Sequence, residues 1–173
     1  GKYFCNGIGI GFDTMVGLEA AKMKWVHGFM AYVLGAAKCF INFPPAPSVS
    51  ISYNGTTIAR ESRQISVMNG KRMGGAFYMA PDAKNYDGLL NLCVSNKANR
   101  LQLFGIIMRY ARGSQANDKR FICDTAGHYR IEAPAGGLIV HADGETICTN
   151  GTSLDIRCLP GTLSAIYEPE LVQ

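Results

Sequence analysis

Gly137-Leu138-Ile139-Val140-His141-Ala142-Asp143-Gly144-Glu145-Thr146 is a short apolar run that breaks into a polar tip. A run of this length behind glycines reads as a buried strand, and Asp143-Gly144 reads as the turn at its end. Gly144 admits the positive φ that such a turn needs. Strand alternation then sets Asp143 and Glu145 on roughly the same side, so two carboxylates stand at the end of a rigid element. This suits proton abstraction or contact with a cation. A solvated hairpin tip has the same sequence, and the rest of the chain has to decide between them.

Outward from this strand the pattern stays short and turn-rich. Residues 120–124, 128–132, 137–142, 146–149, 153–159 and 162–167 read as strands; 153–159 alternates, and Pro160-Gly161 turns the chain into the last of them. The second half therefore reads as a β-meander. Residues 49–53 and 56–60 flank Asn54-Gly55, the chemistry of a two-residue hairpin. Residues 64–68 and 75–79 extend this unit through a connection at 69–74, and residues 80–92 form a loop entering a strand. Asn150-Gly151 reads as a further hairpin turn. The expected fold is mainly β: a β-sandwich of antiparallel strands with an N-terminal helical segment and one further helix.

The helical segment follows from Val16, Ala20, Met23, His27, Met30 and Leu34, which recur at helical spacing and predict one or two helices from Thr14 to about Ile41. Its second part, residues 29–41, is nearly all apolar but shorter than the ~20 residues that span a bilayer, which makes it a core or interfacial helix. Lys24 and Trp25 could anchor at a membrane surface; packing against the sheet is the expected role. Residues 98–112 predict the other helix, with Leu101, Phe104, Ile107 and Met108 on one face, Arg109 and Arg112 in the last turn and Gly113 ending it. Ahead of all of these, residues 3–12 read as a strand in which Gly7, Gly9 and Gly11 let something approach the backbone closely. This Gly-x-Gly-x-Gly lacks the remainder of a nucleotide-loop fingerprint.

Composition narrows the classes. A chain of 173 residues with 47% hydrophobic and 17% charged residues suits one ordered domain, residues 1–173. The net charge of +4 is mild, without the dense basic stripe of a dedicated nucleic-acid binder. Lys97, Arg100, Arg109, Arg112, Lys119 and Arg120, opposed nearby only by Asp118, form either a solvated face or a contact for anionic lipid headgroups. The six cysteines include no Cys-x-x-Cys pair, and they read as buried free thiols of a reducing cytosol. The three histidines lie apart from any cysteine pair, which argues against zinc. No signal peptide is visible, and Gly1-Lys2-Tyr3-Phe4 reads as the interior of a longer protein.

Four stretches taken in order carry a resemblance. Residues 6–16 read Asn-Gly-Ile-Gly-Ile-Gly-Phe-Asp-Thr-Met-Val, and residues 74–92 run from Gly-Gly-Ala-Phe-Tyr-Met-Ala-Pro to Asp-Gly-Leu-Leu-Asn-Leu. Residues 137–145 end in Asp-Gly-Glu, and residues 156–163 read Ile-Arg-Cys-Leu-Pro-Gly-Thr-Leu. Together they resemble the C-terminal domain of the diacylglycerol kinase and sphingosine kinase family of lipid kinases, including its bacterial members. The resemblance implies a β-sandwich that covers a lipid, paired in the full enzyme with an N-terminal nucleotide-binding domain. It implies Asp143 as the general base toward a lipid hydroxyl and Glu145 as the companion acid beside ATP and its magnesium. It also implies a structural Mg2+ held by the Asp87 carboxylate and the carbonyls of Lys84 and Leu89, although a lysine stands where bacterial members usually carry an apolar residue.

The family's Gly-Gly-Asp-Gly-Thr phosphate loop does not occur in these residues. The expectation is therefore one half of a kinase, inactive alone, cytoplasmic and peripheral at the membrane, with a homodimer left open. The alternative is a non-enzymatic lipid-binding β-sandwich module. A more distant possibility is the NAD kinases, whose C-terminal domain is also β-rich.

Overall fold

The computed structural model describes residues 1–164 apart from Lys24, His27 and Pro44, and the backbone but not the side chain of Phe29. Among these residues the chain runs β1 (Gly7–Gly11), α1 (Phe12–Ala21), α2 (Phe29–Asn42), β2 (Ser48–Tyr53), β3 (Thr56–Glu61), β4 (Gln64–Met68), β5 (Leu90–Ser95) and α3 (Arg100–Arg112). It continues through β6 (Phe121–Ala126), β7 (His128–Glu132), β8 (Leu138–Ala142), β9 (Glu145–Gly151) and β10 (Ser153–Arg157).

The strands form two sheets, a large one in the order β6-β5-β4-β1-β8-β9 and a small one in the order β10-β7-β2-β3. Each pairing is antiparallel. The expected β-sandwich is thus present. Alternation explains its core: Ile8, Ile10, Ile65, Val67 and Val140 of the large sheet meet Ile51, Tyr129, Ile131 and Ile156 of the small one. Tyr129 ties the layers, its hydroxyl donating to the Leu90 carbonyl at 3.0 Å with that of Asp124 at 3.2 Å.

The outer face of the large sheet carries the helices. Met68, Cys93 and Phe121 pack with Leu103, Ile106 and Tyr110 of α3, with Phe12, Phe40 and Phe43 against the same cluster. α3 starts in a capping box: the Asn99 side chain accepts the Gln102 N–H at 2.9 Å, and the Gln102 side chain accepts the Asn99 N–H at 3.0 Å. Asn99→Ala is expected to cost about 1 kcal/mol. It should move the denaturant midpoint without changing the slope, and an unmoved midpoint would remove the cap's role.

Several expectations are corrected. Residues 75–79 are not a strand; Gly74 (φ 59) and Gly75 (φ 73) bend the chain into a loop with one isolated bridge, Met73 to Phe77. The second half is not a meander, because β6, β8 and β9 lie in one sheet and β7 and β10 in the other. Asn150-Gly151 falls inside β9 rather than in a hairpin turn, and the Asn150 side chain accepts the Gly137 N–H at 2.8 Å. The strand expected at 162–167 is absent over 162–164, and the remainder lies outside the described residues.

Side-chain burial brings further corrections. Leu101 is 85% and Phe104 63% exposed, so α3 buries its other apolar stripe, and of the four expected residues Ile107 packs against the cluster. Trp25 is 95% exposed and does not pack on the sheet; Lys24 lies outside the described residues. Cys5 and Cys123 are exposed rather than buried, while Cys39 and Cys93 are buried. Asp118, which pairs with Arg109 and Arg120, is not alone in opposing the basic cluster, since Glu61 pairs with Lys97 at 2.7 Å.

Candidate active site

β8 alternates buried and half-buried residues and ends at Ala142, which pairs with Glu145 across Asp143 (φ 48) and Gly144 (φ 90). Two central residues with positive φ make this a type I′ hairpin turn, and aspartate is among the few side chains that accept the first position. The expected turn and its two exposed acids are in place.

The turn is stitched to the start of β1. The Asp143 N–H donates to the Gly7 carbonyl at 3.0 Å, and its carboxylate accepts the N–H groups of Cys5 (2.6 Å), Asn6 (3.0 Å) and Gly7 (2.8 Å). Three successive main-chain donors around one carboxylate form an anion-binding concavity, here filled from within the chain. A third segment closes on it: Asn69 and Gly70 donate their N–H groups to the Asn6 carbonyl, and the Asn6 side chain donates to the Arg72 carbonyl at 3.0 Å. Arg72 lies over the Tyr78 ring at 3.9 Å and donates to the Tyr78 hydroxyl and the Gly75 carbonyl. Asn6, Asn69 and Arg72 had no assigned role in the sequence, where Asn-Gly recurs at 6–7 and 69–70 and nothing marks Arg72.

Beneath β1 lies a second pair. His141 Nε2 stands 3.3 Å from Asp13 Oδ2, with side chains 12% and 21% exposed. Burial disfavours the imidazolium, but the hydrogen bond and charge of Asp13 and the charge of Asp143 outweigh it, and His141 titrates above the ordinary histidine value. The close approach expected along the glycine strand is explained here: a Cβ at Gly9 would fall on the Asp13 carboxylate and the His141 ring.

The other expected residues stand in a separate loop before β5. Asp87 Oδ1 accepts the Leu89 N–H at 2.9 Å around Gly88 (φ 75), and Lys84, Asp87 and Leu89 are exposed. Among the described residues no hydrogen bond or ion pair joins this loop to the Asp143 turn, and no three His, Cys, Asp or Glu side chains cluster as a metal site. One carboxylate with main-chain carbonyls and water is nevertheless an oxygen-only set that fits magnesium.

Residues 6–167 match the family described as the YegS C-terminal NAD kinase beta sandwich-like domain. The chain belongs to this family. It is similar to a diacylglycerol kinase of Mycobacterium tuberculosis, 25% identical over 95% of this chain and 52% of that protein. A probable YegS-like lipid kinase of Pectobacterium atrosepticum is 28% identical over 98% of this chain and 54% of that protein. The chain thus spans about half the length of these curated relatives. The fold is also that of a crystal structure of a Bacillus anthracis diacylglycerol kinase, with a TM-score of 0.67 at 22% identity, covering 99% of this chain and 52% of that one.

Proposed function

We propose that this chain is the lipid-binding and catalytic-base domain of an ATP-dependent lipid kinase that phosphorylates the hydroxyl of a lipid such as diacylglycerol or a long-chain base. The observation that carries this reading is the Asp143-Gly144-Glu145 turn, held at the end of β8 against β1, in a family whose named relatives are lipid kinases. Asp143 accepts the hydroxyl proton, and Glu145 faces the nucleotide and its metal. Phosphoryl transfer depends mainly on positioning and charge neutralisation, which a carboxylate on a fixed turn provides. ATP is held mainly by an N-terminal nucleotide-binding domain that pairs with this one.

Asp87, with the carbonyls of Lys84 and Leu89, would hold Mg2+. When bound there, the ion supplies a fixed positive charge that stiffens the loop.

Exposed apolar side chains on the helices support a lipid as substrate. Met30, Tyr32 and Ile41 of α2 and Leu101 and Phe104 of α3 are exposed apolar side chains, with Lys97, Arg100 and Arg112 exposed nearby in the sequence. Such a face suits peripheral binding at a cytoplasmic anionic membrane. No described helix is long and apolar enough to cross one.

The test is phosphate transfer by the full-length protein from labelled ATP to diacylglycerol or a long-chain base in phosphatidylglycerol vesicles. Labelled product is expected, lost on chelation of divalent cations, restored by magnesium and reduced as salt rises. A folded, ATP-binding protein that labels neither lipid would sink the kinase reading and leave the non-enzymatic lipid-binding module.

A further inference from the structure

Asp13 and His141 have no part in the proposed reaction, yet the fold gives up a side chain at Gly9 to make room for them. Asp13 is fixed before it meets the histidine. Its Oδ1 accepts the Thr14 N–H at 2.6 Å and faces the Thr14 hydroxyl at 3.2 Å, while its own N–H donates to the side chain of buried Gln64 at 3.0 Å. That leaves Oδ2 toward His141 Nε2.

The second ring nitrogen, Nδ1, stands 3.4 Å from the Gly144 nitrogen. A main-chain N–H can only donate, so in the neutral ring Nδ1 is the acceptor and the ring proton sits on Nε2, which donates it in a hydrogen bond to the Asp13 carboxylate. One tautomer is selected on α1 and used at the turn between β8 and β9.

We propose that Asp13 and His141 are positioning residues of the site: Asp13 holds the imidazole in its Nε2–H form, and Nδ1 anchors the Gly144 amide, fixing the turn that carries Asp143 and Glu145. The inference rests on the reading of Asp143 as the base. Main-chain donors of β1 hold the Asp143 carboxylate from one side, and the Nδ1 contact adds a restraint at Gly144, between the two acids; a misplacement of about 1 Å costs on the order of 100-fold in rate.

Asp13→Asn provides the discriminating change. With Oδ1 kept by Thr14, the new amide nitrogen faces His141 and can only donate. This forces the proton onto Nδ1, against the Gly144 N–H. Nitrogen NMR of 15N-histidine-labelled protein, at alkaline pH where the imidazole is neutral, is expected to show Nε2–H in the parent and Nδ1–H in Asp13→Asn, with the Gly144 amide shifted.

In the full-length protein Asp13→Asn and His141→Gln are expected to lower kcat for lipid phosphorylation about 10- to 100-fold with KM for ATP little changed. His141→Asn places an oxygen near the position of Nδ1 and should recover turnover relative to His141→Gln. An Nδ1–H proton in the parent, or a switched tautomer with unaltered kcat, would overturn the proposal. Absence of turnover in the parent enzyme would count against the kinase reading instead, and the tautomer measurement would still decide whether the pair holds the turn.

Discussion

Asp143→Asn in the full-length protein is expected to lower kcat for lipid phosphorylation by about 10^2- to 10^4-fold, the usual worth of a general base. Asparagine keeps the shape and, like aspartate, tolerates positive φ, so the turn between β8 and β9 can persist. The amide cannot take a proton from the lipid hydroxyl. An ionised carboxylate has about four acceptor positions. The N–H groups of Asn6 and Gly7 fill Oδ1, and Oδ2 takes that of Cys5 at 2.6 Å with a long second branch of Asn6 at 3.3 Å, so Oδ2 is the oxygen left to the substrate. The amide nitrogen of the variant also meets main-chain donors, so a modest loss of stability accompanies the loss of rate, and the melting temperature has to be measured beside kcat. A folded variant with parental turnover would strip Asp143 of the base role and leave it as a tie between β8 and β1.

The largest effect on stability is expected from Gly11→Ala. Gly11 joins β1 to α1 at φ 104 and ψ −121, a region closed to side chains, and a methyl there would fall on the Arg63 carbonyl oxygen. That oxygen is already fixed by the Phe12 N–H at 2.9 Å and cannot withdraw cheaply. Strained backbone at such a position costs about 1–3 kcal/mol and overpacking about 1–3 kcal/mol more. A total of about 4 kcal/mol lowers the melting temperature by roughly 10 °C in a chain of this size. Gly17→Ala is the control: it lies inside α1 with open space around it, where alanine is favoured by about 0.5–1 kcal/mol. A Gly11→Ala protein as stable as the Gly17→Ala protein would show that the tight entry into α1 is dispensable.

The parts of the fold that were legible in the sequence are those set by neighbouring residues. Asn54-Gly55 specified its hairpin, Gly113 ended α3, and Asp143-Gly144 marked the turn, because each depends on φ values that few residues accept. The buried face of α3 was not legible: Leu101, Phe104 and Met108 have the same spacing as Leu103, Ile106 and Tyr110, and periodicity alone cannot say which stripe faces the sheet. Sheet membership was hidden for a similar reason. β7 and β8 each alternate, and nothing within either states that their partners are β2 and β1, far back in the chain. At the site, the Asp-Gly-Glu acids were visible as a motif. The Asp13–His141 pair was not, since its members are 128 residues apart and meet only because β1 runs beside β8.

The central place of β1 has a consequence for how the protein comes to be folded. β1 (Gly7–Gly11) lies between β4 and β8, and β8 (Leu138–Ala142) leaves the ribosome long after it. Until then one side of β1 offers bare N–H and C=O groups to any other extended chain. Contacts of such sequence separation close slowly, so the nascent chain passes through an interval in which the large sheet is half built and able to associate wrongly. The same Gly7–Gly11 segment that fixes the site is therefore also the part of the chain most in need of shelter during synthesis.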